Sequence, residues 1–141
     1  MAHGLGRTKR QAILDNIFNA GTLTAETAWH ISLHTGDPGP DGQTANEVGG
    51  GVGYARVSVG SNWSAATAAE PSVIDNEADI TFGAASGSWG TITYAGIWNH
   101  TSNTAAANFI GRVSLSPSQA ISTGNVAVIP LGTLDVSLGV T

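Results

Sequence analysis

The chain has no cysteine in its 141 residues. That excludes a disulfide framework and thiolate metal sites, and leaves the redox compartment open. Charge is scarce too: Asp, Glu, Lys and Arg make up 11%, against roughly 25% in an average soluble domain. No stretch stays apolar for the ~18 residues that a membrane helix needs. The basic N-terminus is not followed by the long apolar run of a signal peptide, and no internal repeat is found. What fills the chain instead is glycine, 19 residues of it, with much Ala, Ser and Thr. Interleaved with Val, Ile and Trp, this is the composition of short strands and tight turns, and the length suits one domain with a real core.

The few charges are unevenly placed. Arg7, Lys9 and Arg10 supply three of the five bases, and no acid precedes them; the first ten residues carry +3 and the remainder −8 of a net −5. A basic tail on an acidic body is a docking pattern. Three cations are too few for nucleic-acid binding, because that contribution grows with each phosphate neutralised. Neither nucleic acid nor membrane is expected as a partner.

One helix is expected, over residues 8–19. Thr8 stands as its cap with Gln11 three residues on, a capping-box spacing. Ile13, Leu14, Ile17 and Phe18 fall on one face, and Gly21 is placed to end the helix in a left-handed turn. That apolar face needs a cover, on the chain's own sheet or on a partner. From Trp29 the period changes to two: Trp29, Ile31 and Leu33 alternate with His30, Ser32 and His34, as in a half-buried strand. Residues 35–53 form a Gly-rich connection of a length that usually marks a functional or mobile loop. Further strands are expected over residues 54–59, 78–82, 90–98, 108–115, 125–129 and 132–138, with a turn at Pro117-Ser118. The pattern predicts a mainly β fold, an antiparallel β-sandwich or jelly roll with one short N-terminal helix. Residues 1–21 read as a basic arm and amphipathic helix, and residues 22–141 as the β body.

The motifs of chemistry fall short. Asp37, Asp41 and Gly42 occupy positions 1, 5 and 6 of a calcium-loop register, but Gly39 and Val48 stand at positions 3 and 12, and Glu47 is one residue early. Pro-Gly and Asp-Gly turns are the simpler reading. Asp75, Glu77 and Asp79 would line one strand face as a solvated acidic patch. His30 and His34 would sit about 13 Å apart along a strand, too far to share a metal, and His3 lies at the terminus. No G-x-S-x-G elbow occurs: Gly87-Ser88 runs into Trp89-Gly90. The glycine run at residues 49–53 opens no helix and so makes no phosphate cradle. No catalytic residue, metal ligand or cofactor is expected. Asn62-Trp63-Ser64 and Asn99-His100-Thr101 match the glycosylation sequon, which counts only in a secreted eukaryotic protein. Of the four tryptophans, Trp29 and Trp98 lie in strand patterns and are expected in the core. Trp63 and Trp89 lie beside turns and are expected at an interface.

Several segments together resemble a family of small bacteriophage virion proteins labelled tail fibre or head decoration proteins. They are the helix at residues 8–19; Trp29-His30-Ile31-Ser32-Leu33-His34-Thr35 running into Asp37-Pro38-Gly39; Asn46-Glu47-Val48; Gly53-Tyr54-Ala55-Arg56; Ile80-Thr81-Phe82; Trp89-Gly90-Thr91-Ile92-Thr93-Tyr94; and Gly96-Ile97-Trp98. The resemblance spans about residues 8–138, and its motifs are structural rather than catalytic. It implies a non-enzymatic β-sandwich building block of the virion that assembles with copies of itself, as a trimer. The expected role is a capsid decoration (cement) protein that docks on the major capsid protein of the assembled head and stabilises it. The alternative is a tail fibre or minor tail component, bound to tail proteins and contacting the host. A cell-wall hydrolase would need the constellation that is missing. The expected partner interface is Arg7, Lys9, Arg10, Ile13, Leu14, Ile17, Phe18, Trp63 and Trp89.

Overall fold

A computed structural model describes residues 4–138; His3 lies outside them. The chain runs β1 (Gly4–Leu5), α1 (Arg7–Phe18), β2 (His30–His34), β3 (Val57–Ser58), β4 (Ser72–Ile74), β5 (Ile80–Ala84), β6 (Gly90–Trp98), a 3-10 turn (Ala106–Asn108), β7 (Phe109–Ile121), β8 (Val126–Ile129) and β9 (Val136–Leu138). Five strands form one sheet in the order β1-β7-β6-β2-β3, and two ribbons, β4-β9 and β5-β8, complete a sandwich-like, mainly β body. The pairings are antiparallel throughout. The expected fold class is therefore the observed one.

The core follows the period of two. Ile31 and Leu33 face Ile97 and Ala95 across the β2–β6 ladder, and Ala95 faces Val113 on β7. All five are buried. Phe82, Ile80, Ile129, Ala127 and Leu134 close over them from the ribbons and the segment before β9. This continuous apolar layer is the main favourable contribution to the fold.

Local details depart from the expected ones. Gly6, not Thr8, caps α1, with no side-chain cap. The chain leaves the helix through Ala20 in the left-handed region, φ 53°, so the Gly21 amide returns to the Asp15 carbonyl. Ala20 thus takes the turn expected of its neighbour. β7 runs on through Ser116-Pro117, where a turn was expected. Between the pairs Tyr94↔Ser114 and Ile92↔Gln119, β7 carries extra residues that bulge out, and pairing then resumes to Gly90↔Ile121. A bulge absorbs a proline that a regular ladder would reject. Asp75, Glu77 and Asp79 sit in the connection from β4 to β5, not on one strand face. At its centre Asn76 is 1% exposed. Its Nδ2 donates to the Ala78 and Pro130 carbonyls at 2.8 and 3.0 Å, and its Oδ1 accepts from the Thr133 and Leu134 amides at 3.2 and 2.8 Å. One side chain thereby ties the ribbon ends together.

The largest departure is β2. Alternation predicts one buried face, yet Ser32 and His34 are as buried as Ile31 and Leu33. The second face is covered because residues 35–48 fold back over it. The Thr35 amide bonds the Asn46 carbonyl, and the Val48 amide bonds the Leu33 carbonyl. Gly42, at φ +69°, lies so close to the Phe109 and Trp98 rings that a Cβ there would stand 2.5 Å from the first and 2.7 Å from the second. Beyond this fold-back the glycine tip, residues 49–51, has open space around it.

Candidate functional site

Three features of the molecule stand out chemically. The first is a buried polar cluster behind β2. Glu47 comes from the folded-back loop and Arg56 from just before β3; they meet in a two-bonded fork, Nε to Oε1 and Nη2 to Oε2, each 2.8 Å. The Arg56 side chain is 4% exposed and that of Glu47 12%. The guanidinium lies 3.9 Å from the centre of the Trp98 ring, a cation–π contact. Its Nη1 donates to the carbonyls of His100 and Asn103, which pins that turn. The Tyr54 hydroxyl donates to Glu47 Oε1 at 3.0 Å and accepts from the Leu33 amide at 2.9 Å. It stands in for a ladder partner where β3 has ended.

Next to this fork the Trp98 indole donates to Ser32 Oγ at 2.8 Å. Ser32 Oγ also shares a hydrogen bond with His34 Nε2, 2.7 Å away. Burial pushes the His34 pKa down to about 4; the nearby Glu47 resists and Arg56 assists. For Glu47 burial alone would raise the pKa, but the Arg56 hydrogen bonds and charge override it and hold the carboxyl below its ordinary value. Burial raises the Tyr54 phenol, which stays protonated. A Ser–His pair at bonding distance has the form of a nucleophile and base. Both residues are 0% exposed, so the pair is closed off from solvent. Gly96 makes room for it: a Cβ there would lie 2.4 Å from Ser32 Oγ.

The register of β6 and β7 places the aromatic lid of this cluster. Ile97 pairs with Gly111, but the next pair is Trp98 with Phe109, so Ile110 is an extra residue. The slip turns Phe109 from the core face to the Trp98 face. There the two rings pack edge-on with centroids 4.8 Å apart.

The second feature is an apolar groove at the end of the core layer. Leu5, Trp29, Trp63, Ile74, Ile110 and Val136 line a cavity of about 260 Å³. It runs through Leu5, Ile74 and Val136 into a second apolar hollow of about 170 Å³ that ends at Leu138. Trp29, expected in the core, is only half-buried and forms part of this wall. Trp63, expected at an interface, lines the groove as well. Trp89, expected beside it, does not: it is 4% exposed, its indole donates to the Val52 carbonyl at 2.8 Å, and it packs edge-on against Tyr54 and Phe82. A tryptophan next to a turn is exposed only if the turn points away, and Val52 and Gly53 fold back to this one.

The third feature is α1. Arg7 pairs with Asp41 at 3.1 Å, Lys9 pairs with Glu26, and Ile13 is half-buried. Leu14, Ile17 and Phe18 stay out: they are 55, 63 and 75% exposed. The sequence-expected interface residues therefore divide. Arg7, Lys9 and Ile13 hold the helix to its own body, and Arg10, Leu14, Ile17 and Phe18 face outward. The acidic turns also find protein partners: Asp37 binds Arg112 at 2.9 Å and its own loop amide at Gly39, and Asp41 binds Arg7. Among the described residues no group of three His, Asp or Glu side chains is placed to hold a metal ion, and no helix is long and apolar enough to cross a membrane.

Sequence reasoning did not find the Glu47–Arg56 fork. A signal existed: in a chain this poor in charge, an acid and a base nine residues apart flank a tyrosine and a glycine turn. Both stand in segments that carry the virion-protein resemblance. Comparison with protein families agrees with that resemblance. The family described as Podophage GP4 fiber I protein gp80 matches residues 4–137, from β1 into β9. A comparison with curated proteins finds no match.

Proposed function

The chain belongs to the family of the podophage GP4 fiber I protein gp80, a phage virion protein by that membership, and from this premise we propose that it is a fibre component that works by contact rather than turnover. The family match over residues 4–137 carries the reading, because the name it bears is that of a fibre. The Ser32–His34 pair, sealed at 0% exposure, supports a role without catalysis. Capsid decoration is the second reading. It is favoured by a small body that carries an exposed apolar helix face suited to docking.

The proposed partners are further copies of the chain, as a trimer, and a tail protein, or the major capsid protein on the second reading. The proposed contact residues are Arg10, Leu14, Ile17 and Phe18 on the arm and Trp63 on the body, with Arg7, Lys9 and Ile13 positioning the helix. Trp89 drops out because it has no surface to offer. Residues 1–21 act as the docking arm and residues 22–141 as the body. A chain starting at residue 22 is expected to unfold cooperatively and to lose particle binding; failure of that chain to fold would end this division.

Cosedimentation of the purified chain with separated heads and tails tests the location. Binding to tails in few copies is expected. Binding to heads in many copies would replace the fibre reading with decoration.

A further inference from the structure

Lys9, Glu26 and Asn99 come from three separate parts of the chain and meet at one carboxylate. Lys9 lies in the first turn of α1, Glu26 in the connection from α1 to β2, and Asn99 directly after β6. The Lys9 ammonium donates to Glu26 Oε1. The Asn99 side-chain amide donates from Nδ2 to Glu26 Oε2 at 2.7 Å. The carboxylate therefore holds an amine on one oxygen and a carboxamide on the other. Asn99 is anchored from behind, because its backbone amide bonds the Asn108 carbonyl at 2.9 Å. The Lys9 and Glu26 side chains each keep 21% exposure, and Asn99 is half-buried, so little water reaches the group.

The choice of base at this point is informative. Lys9 is the one lysine of the chain; the other four bases are arginines. Arginine serves an ion pair as well or better, with its planar fork, but it offers no nucleophilic amine. Lysine does, once a base removes its proton. Glu26 stands where such a base must stand, between the amine and the carbonyl group that it would attack.

We propose that Lys9 and Asn99 join in an intramolecular isopeptide bond, formed by the folded chain itself with Glu26 as its acid–base residue. Glu26 takes one proton from the Lys9 ammonium and passes it to Asn99 Nδ2 as the Nζ lone pair bonds to Cγ. The Cγ–Nδ2 bond then breaks with its electron pair on nitrogen, and ammonia leaves. The second proton lost by Nζ returns to the Glu26 carboxylate and goes out with the ammonia as ammonium. The product is a secondary amide with no change of oxidation state, so no oxidant or cofactor is required. The fold supplies the drive by holding the groups together, since well-oriented partners reach effective concentrations on the order of 10⁵ M. The bond closes the chain between residues 9 and 99 and fastens α1, the proposed docking arm, to the end of β6. An arm so fastened cannot peel from its body under load, whether it sits on a head or a tail.

Intact-mass measurement of the full chain under denaturing conditions tests this. The expected mass is one ammonia below that of the sequence. Trypsin should release a branched peptide that joins residues 8–10 to residues 57–112 through Lys9 and Asn99, because an acylated lysine is no longer cut. Lys9→Arg and Asn99→Ala should abolish the linkage. Glu26→Gln, close in size, should leave most of the chain at full mass while its circular dichroism stays that of the unmodified fold. If that variant does not fold, the branched peptide of the unmodified chain decides alone. A folded chain at full sequence mass, whose Lys9 takes up an amine reagent after denaturation, would overturn the bond and leave an ion pair. An ammonia loss traced to any other residue would overturn it equally. Complete linkage in folded Glu26→Gln would overturn the part given to Glu26.

Discussion

Arg56 holds Glu47 through two 2.8 Å bonds while its flat face rests 3.9 Å from the centre of the Trp98 ring. The pair locks the loop before residue 48 to the strand after residue 56, and so closes the second face of β2. Removing one partner leaves the other charge buried and unmatched. Arg56→Ala or Glu47→Ala is expected to cost about 3–5 kcal/mol, read as a lower urea midpoint at pH 7. Arg56→Lys should recover only part of this, because an ammonium cannot make the planar two-bonded fork. A loss below 1 kcal/mol, roughly that of an exposed pair, would show that the fork contributes little.

His34 makes the fold sensitive to acid. Its pKa falls from the ordinary 6.5 to about 4 in the folded chain, so between these values the unfolded chain binds the extra proton. Stability is full above pH 6.5, declines as pH falls towards 4, and levels off below. At about 1.4 kcal/mol per unit the decline amounts to roughly 3 kcal/mol. His30, lowered by burial and then by His100 and Arg56, acts in the same direction. Glu47 adds a further loss at lower pH, as its depressed carboxyl takes up a proton. Urea titrations from pH 7 to 4 should show this slope, and His34→Asn should flatten it whatever its effect at pH 7. An unchanged slope in the variant would assign the acid response elsewhere.

The tryptophans beside turns should separate by experiment. Trp89→Ala is expected to destabilise the chain by about 3–5 kcal/mol, as large-to-small changes in a core do. Trp63→Ala, at a half-buried groove wall, should cost distinctly less and weaken self-assembly more. Equal unfolding midpoints for the two variants would contradict their placement.

Asn76 makes four hydrogen bonds with one amide. Asn76→Ala leaves two carbonyls and two amides without that partner, at about 3 kcal/mol. Asn76→Asp should cost at least as much, because a carboxylate cannot donate to the Ala78 and Pro130 carbonyls. Thermal unfolding of both variants is the check.

Glycines that look alike in sequence should behave differently. Gly42→Ala places a Cβ 2.5 Å from the Phe109 ring at a φ of +69°. It should cost more than the roughly 1–2 kcal/mol of the left-handed conformation itself. Gly50→Ala, with nothing within 4 Å, should be neutral or slightly stabilising. A silent Gly42→Ala in denaturant titration would mean that the loop does not pack on Phe109.

The amino-acid pattern by itself determined the class of fold and its main strands. Period-two alternation placed β2, β6 and β8 within about a residue of their bounds, and the helical spacing of Ile13, Leu14, Ile17 and Phe18 placed α1. These patterns are local, because a strand or helix imposes its own repeat on the residues it buries. Tertiary structure decided what covers the second face of each element. It buried Ser32 and His34 beneath a loop whose glycines suggested mobility, drew Trp89 inward against Val52, and left the apolar side of α1 in the open. One extra residue, Ile110, turned Phe109 onto Trp98, and a bulge carried β7 past a proline that marked a turn. Neither loop return nor strand slip leaves a periodic trace, because both depend on contacts between residues far apart in the chain. The meeting of Glu47 and Arg56 was settled in the same way, by a fold that brings two sparse charges together where water is excluded.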